Sequence, residues 1–298
     1  MENLQLKRLS TCSFQTALEV WNEGFQGYFV DMTLSLDKFL ARMSSEAISL
    51  EHSLVAFAQG KPVGFLLNGI RNDEGKKIAW NGGTGVIPSF RGQGVGKFLV
   101  NAAIDLYVSE AVDVATLEAI SNNDIAIGLY KQCGYEIVDE LTFLQSDDPS
   151  ADCLSQTDSV SYSVDSVAPA AVGSLSFYSD LSAWQSQWQS LALSCGDALI
   201  VRDSAGGAVG YALFKKKFDN EGNPSNIALY QCEVAPNRDD FENIVAAMLR
   251  RVFFSEPGKF RRTTYNFRKS NKLVIDMLMK SGFATFIEQV LMLRSMGR

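Results

Sequence analysis

Residues 80–97, WNGGTGVIPSFRGQGVGK, decide how this chain is read. Residues 84–87 form a short strand end, and Pro88, which has no N–H to give a ladder, stops it. Arg91-Gly92-Gln93-Gly94-Val95-Gly96 follows, and a helical run begins at Lys97 and continues to Tyr107. A strand, a glycine-rich turn and a helix N-terminus together make an anion site. Backbone N–H groups point outward there, and the helix dipole favours negative charge. Glycine lets the backbone approach a phosphate closely, because no Cβ intervenes. Two common phosphate loops are excluded by spacing. A Walker loop needs Ser or Thr after the lysine, and Phe98 follows Lys97; a dinucleotide loop needs GxGxxG, and here the spacing is Arg91-x-x-Gly94-x-Gly96.

That spacing resembles the pyrophosphate loop of the GNAT acetyltransferase superfamily, R/Q-x-x-G-x-G/A. Val86-Ile87-Pro88 precedes it at the family's usual distance. A second block of similar character, TLEAISNNDIAIGLYKQCGY, occupies residues 116–135. The resemblance is clear over residues 4–144 and weaker, though traceable, beyond. It implies an α/β fold of the mixed (α+β) kind, with a central mixed sheet flanked by helices. It also implies transfer of an acetyl group from acetyl-CoA to a primary amine of a small molecule or peptide, by direct attack.

The chain has 298 residues, enough for two domains, and 46% are hydrophobic. No apolar run is long enough for a transmembrane helix, and the N-terminus lacks the layout of a signal peptide. Five scattered cysteines (Cys12, Cys133, Cys153, Cys195, Cys232) without a CxxC argue against a disulfide framework or a metal site, so a cytoplasmic location is expected. The net charge of −7 falls unevenly: residues 1–148 hold 11 basic and 19 acidic side chains, residues 149–298 hold 16 and 15. This balance opposes a nucleic-acid partner and favours a cationic acceptor, although an acidic solvated surface explains it equally simply. Lys215–Lys217 and the arginines near 250 and 261 read as solvated surface, and His52 as a surface residue.

Along the chain, residues 4–9 alternate as a strand, Ser10 or Ser13 caps a helix reaching about Gly27, and a second helix follows Thr33. Gly60-Lys61 marks a hairpin, residues 71–77 a polar loop, and Gly134 a helix stop. The plan then repeats. Pro88, Asn123 and Gly134 find counterparts 148 residues later in Pro236, Asn271 and Gly282. The expected domains are therefore a catalytic GNAT-like domain at 1–145, a polar linker at 146–158 and a second GNAT-like domain at 159–298. Carried over the same offset, Arg91 falls on Asp239, Gly94 on Glu242, Gly96 on Ile244 and Tyr130 on Leu278. The second half thus keeps the plan without the cofactor site, leaving it to serve as scaffold, acceptor-site wall or oligomer contact, as in a homodimer. Each half has one clear final strand where a single-domain relative closes with two.

The resemblance carries over to named residues. The backbone around Arg91, Gly92, Gln93, Gly94, Val95, Gly96 and Lys97 is implied to hold the diphosphate, and an N–H near Val86 to face the thioester oxygen. Asn123 matches the family asparagine near the pantetheine arm, or is simply a helix cap. Tyr130 matches the tyrosine facing the sulfur; a phenol of pKa about 10 can donate to a thiolate whose thiol titrates near about 8.5. Otherwise it packs on a helix face. Glu118, in a pattern resembling ribosomal-protein N-terminal acetyltransferases, is the candidate base, or else a strand-edge carboxylate. The strand before the loop offers Asn81, a candidate residue of the acceptor pocket, and no acid, so base action through a water stays open. Phe25, Tyr28 and Phe29 fall where the family's first two helices join and wall the acceptor pocket, or are plain core. An acyl-CoA-binding or protein-interaction module with little turnover is the alternative reading.

Overall fold

The computed structural model describes residues 4–73, 75–154, 162–256 and 258–297. Ser13 starts the first long helix, its hydroxyl accepting from the Thr16 N–H at 3.0 Å. This helix, α1 (Phe14–Gly24), follows β1 (Gln5–Arg8) and buries Ala17, Leu18 and Trp21 at helical spacing. It stops three residues before Gly27. The turn beyond it is held by Trp21, whose indole donates to Met32 O, and by Asn22, which exchanges two hydrogen bonds with the Leu34 backbone. α2 (Leu36–Ser45) and β2 (Ser49–Ala58) come next. Gln59 and Gly60 both take positive φ, the geometry a two-residue hairpin needs, before β3 (Lys61–Asp73).

The polar stretch expected as a loop at 71–77 is mostly strand. Asn72 pairs with Lys77 and Asp73 with Lys76 as β3 turns into β4 (Lys76–Val86). Ladder bonds and opposite charges side by side sustain pairing there without an apolar pattern. α3 (Val95–Ser109), β5 (Val114–Ile120) and α4 (Asp124–Gln132) follow. Asn123 caps α4 by accepting from Ala126 N, and Gly134 ends it at φ +82°.

The chain continues through β6 (Glu136–Ser146), β7 (Ser163–Val167), α5 (Pro169–Gly173), α6 (Trp188–Leu193), β8 (Asp197–Arg202), β9 (Ala208–Phe218), β10 (Pro224–Val234), α7 (Phe241–Phe253), β11 (Arg261–Thr264), β12 (Phe267–Arg268), α8 (Lys272–Lys280) and β13 (Ala284–Ser295). Two compact units result, Met1–Val138 with Val290–Arg298, and Asp139–Gln289. The first has the strand order β1-β2-β3-β4-β5-β13, antiparallel except for the parallel β4–β5 pair among the registers described. Its core against α3 and α4 includes Leu99, Tyr107, Leu117 and, from the chain's far end, Val290 and Met292. The second has the order β6-β11-β10-β9-β8-β7, with β12 beside β6. α7 covers one face through Val245, Met248 and Leu249, while Val172 and Leu191 of α5 and α6 belong to a separate core.

The missing closing strand of each half is thereby found. The last strand of each sequence half is divided between the units: β6 gives residues 136–138 to the first and 139–146 to the second, and β13 gives 284–289 to the second and 290–295 to the first, so these units differ from a cut at residue 145. The expected linker is anchored in the second unit as far as it is described. Leu154 is fully buried, its carbonyl takes the Arg250 guanidinium at 2.7 Å, and Ser150 N donates to Ser281 O. Residues 155–158 of that linker lie outside the described residues. Among the described residues no helix is long and apolar enough to cross a membrane.

Candidate active site

β4 and β5 pair in parallel from Ile78↔Val114 to Asn81↔Leu117, and then part, although both strands run on. The parting has a local cause. The β3–β4 register slips between Leu67 and Asn68, opposite Gly82. A Cβ on Gly82 would sit 2.6 Å from the Trp80 ring, and Gly83 takes φ +155°. Past this kink Ile87 N donates to Val63 O, toward β3. Strand alternation then directs the N–H of Val86 to the side that β5 has left.

The loop at the end of β4 turns through Gly92 (φ +73°) and Gly94 (φ +83°), both left-handed, and Gly94 is the N-cap of α3. The first N–H groups of α3 have no partner within the helix and face outward. Gly96 serves a different purpose: a Cβ there would come within 3.2 Å of Leu129, so its smallness lets α3 lie close to α4.

A cleft of about 780 Å³ opens over the parted strands and the loop. Phe25, Tyr28, Phe29, Val86, Arg91, Gly92, Gly94, Val95, Gly96, Lys97, Asn123 and Tyr130 all line it. Three of the residues singled out in the sequence do not. Gln93 turns back, donating to Ser89 O at 2.8 Å. Asn81 is buried, engages Thr84 Oγ1 at 2.9 Å and accepts from Gly83 N at 3.1 Å. Glu118 is the first residue past the last β4–β5 pair, and its carboxylate accepts the Trp80 indole N–H at 2.7 Å. Alternation sets Glu118 with Trp80 on the face away from Leu117 and Ala119, which pack toward α4. Thr84, Gly85, Ala126 and Leu129 line the cleft without having been singled out. Thr84 was findable two residues before Val86 on one strand, and Ala126 one helical turn before Tyr130.

Tyr130 is a buried polar group of the cleft, and its hydroxyl lies near the side chains of Thr84 and Asn81, which are bonded to each other. Burial pushes its pKa up to about 12, more than these two neighbours and the nearby Tyr28 alter it. It is therefore a neutral donor throughout the ordinary pH range and a weaker acid than a free phenol. Tyr28, at the turn after α1, has its pKa raised by burial, partly offset by the nearby Asn123 side chain.

The same loop in the second unit is built shut. Asp240 stands at the N-cap of α7 and takes both Arg238 Nε (2.8 Å) and Nη2 (2.6 Å), as well as the Tyr162 hydroxyl at 2.6 Å. The Arg238 fork holds the Asp240 carboxyl down at about 2, so the helix carries its own anion. The 148-residue offset also needs a correction. A Cβ on Gly64 would touch Val95 and Leu99, and one on Gly210 would touch Ile244 and Met248. The helices therefore correspond at 149 (95 to 244, 99 to 248), placing Gly94 on Asn243 and Gly96 on Val245. Since α7 begins at Phe241, a helical turn occupies the place of the glycine loop. Leu278, the counterpart of Tyr130, is buried.

A parted parallel strand pair with a glycine loop and a helix N-terminus at its mouth makes a cleft suited to an anionic ligand. Residues 14–135 match the model of the Acetyltransferase (GNAT) family. An uncharacterized N-acetyltransferase of Methanocaldococcus jannaschii is 36% identical over 85 residues, 28% of this chain and 38% of that protein's length. The fold of the whole chain is similar to that of a tandem GNAT protein from the clavulanic acid biosynthesis pathway, with TM-score 0.64, 15% identity and 99% of each chain covered. A GCN5-related N-acetyltransferase from Sphaerobacter thermophilus gives TM-score 0.66 at 16% identity, covering 99% of this chain and 96% of that one. The chain is thus a tandem of two GNAT-type folds.

Proposed function

We propose that this protein is an N-acetyltransferase that moves the acetyl group of acetyl-CoA to a primary amine of a small molecule or peptide, using the first unit alone. The observation that carries this is the meeting of glycine loop, parted strands and Tyr130 in one cleft. The cradle fits the donor: a Cβ on Gly92 or Gly94 would meet nothing within 4 Å, so the loop faces open space. Acetyl-CoA supplies the thioester carbon that the amine attacks. The N–H groups of residues 92–97 hold the diphosphate, with Lys97 adding charge. The Val86 N–H, directed into the gap between β4 and β5, donates to the carbonyl oxygen as charge builds on it. Tyr130, beside Thr84 and Asn81, donates a hydrogen bond to the departing sulfur. Glu118, whose carboxylate accepts the Trp80 indole N–H outside the cleft lining, takes the ammonium proton through a water. Asn123 and the Phe25–Tyr28–Phe29 turn flank the arm and the acceptor.

Thiol release from acetyl-CoA over panels of amines and peptide N-termini tests this reading. Binding without release on every panel would favour an acyl-CoA-binding module. Calorimetry should give one acetyl-CoA per chain, because the second unit has a carboxylate, an extra helical turn and Leu278 where the first has its site. A stoichiometry of two would overturn the single-site reading. Gly94→Glu should abolish binding while the fold persists. The strain of a side chain at φ +83° costs about 1–2 kcal/mol, and its Cβ meets no neighbour within 4 Å. Its carboxylate, however, stands where the diphosphate would sit. Undiminished affinity in the same titration would show that the loop does not hold phosphate.

A further inference from the structure

Arg91 opens the glycine motif, yet its guanidinium is engaged with the backbone. Nε donates to Val86 O at 2.9 Å, and Nη2 donates to Gly24 O at 3.0 Å and Gln26 O at 2.7 Å. Val86 ends β4; Gly24 ends α1; Gln26 lies in the turn beyond it. Three of the five N–H groups of Arg91 thus join the strand beneath the loop to a turn some 65 residues away in sequence. That turn carries the aromatic wall. The Phe25 ring lies 4.6 Å from Trp21, 5.5 Å from Phe65 and 5.1 Å from Tyr28, and Tyr28 lies near Asn123. The Trp21 and Asn22 bonds described above hold the later part of the turn at Met32 and Leu34, whereas Arg91 holds its beginning.

We propose that Arg91 is a positioning residue: it fixes the turn bearing Phe25 and Tyr28 against the glycine loop, orienting the acceptor over the cleft, and is not a ligand of the diphosphate. The proposal rests on the acyl-CoA reading of the cleft. A planar fork can satisfy three carbonyls lying in different directions; a single ammonium on a flexible stem cannot hold the same set. Loss of the fork releases the wall by a fraction of an ångström to an ångström, and such misplacement falls on acceptor orientation.

The test uses the full chain and its Arg91→Gln and Arg91→Lys variants. Kd for CoA is measured by calorimetry at several salt concentrations, Kd for pantetheine alongside, and steady-state kinetics with an amine from the panels above. Both variants are expected to bind CoA within about threefold of the parent with an unchanged salt dependence, while KM for the amine rises about tenfold or more, with lysine giving no rescue. A phosphate ligand would behave otherwise. Arg91→Gln would then lose CoA affinity and flatten its salt dependence, leave pantetheine unaffected, and be rescued by Arg91→Lys; that pattern overturns the proposal. Arg91→Lys retains the charge and carries the decision if Arg91→Gln does not fold. Failure of the parent protein to bind CoA would overturn the acyl-CoA reading itself, a result distinguishable from either pattern in the variants.

Discussion

A chain ending at residue 145 is expected not to fold cooperatively, although it contains the whole stretch that matches the acetyltransferase family. The first unit takes its closing strand from the far end of the protein. Val290 and Met292 are buried among Ala115, Leu117 and Tyr135. Met296 N donates to Asp113 O at 2.9 Å, and the Arg294 guanidinium caps the carbonyl of Cys133 at the end of α4. Burying a side chain of this size contributes about 1.5–3 kcal/mol. Losing two of them, with the ladder beside β5, approaches the about 5–15 kcal/mol that a whole domain commands. Truncation also leaves Leu141 and Leu144, both fully buried in the intact chain, without the core they belong to. Urea unfolding followed by circular dichroism decides the matter. A sharp transition and retained acetyl-CoA binding in the 1–145 fragment would count against the strand assignment. A fusion joining residues 1–138 through a short linker to residues 290–298 should recover both.

Tyr130→Phe is expected to lower kcat by about 10²-fold or more, with little change in the Kd for acetyl-CoA. The hydroxyl acts as negative charge gathers on the sulfur, so its loss falls on the chemical step rather than on binding. The direction of its pKa sharpens this. Burial raises it to about 12, which means the neutral donor form is retained across the working range and lost only as pH rises through about 12. The wild-type pH–rate profile should accordingly show no falling limb from Tyr130 at moderately alkaline pH, and any limb seen there must persist in Tyr130→Phe. A limb that disappears in the variant, or an unchanged kcat, would remove Tyr130 from the role proposed for it.

The local elements were legible because their causes are local. Ser13 and Asn123 cap the helices they precede and Gly134 ends α4, while the hairpin expected at Gly60-Lys61 turns one residue earlier, through Gln59-Gly60. The stretch at 71–77 was misread because its strands are held by backbone ladders that leave no apolar signature. The offset between halves slipped by one residue in the helix, since only the packing beneath Gly64 and Gly210 reveals which turn corresponds to which. Near the cleft, the residues on the loop and on the Tyr130 face of α4 were readable from motif and spacing. Asn81 was read as a pocket residue; in the folded chain it sits behind the pocket, bonded to Thr84 and near Tyr130.

By itself the sequence determined the order of strands and helices in the first half, the glycine loop at a helix N-terminus, and the loss of those glycines in the second half. These depend on steric freedom, hydrogen-bonding capacity and period within a few neighbouring residues. Only the tertiary structure decided which strand closes which sheet, that the Arg91 fork binds three carbonyls, and that Glu118 lies against Trp80 rather than along the cleft. Those outcomes depend on partners tens to hundreds of residues apart, where two final strands of similar apolar character compete for two similar sheet edges. No property of either strand taken alone distinguishes its edge; the choice is made by how the intervening chain packs.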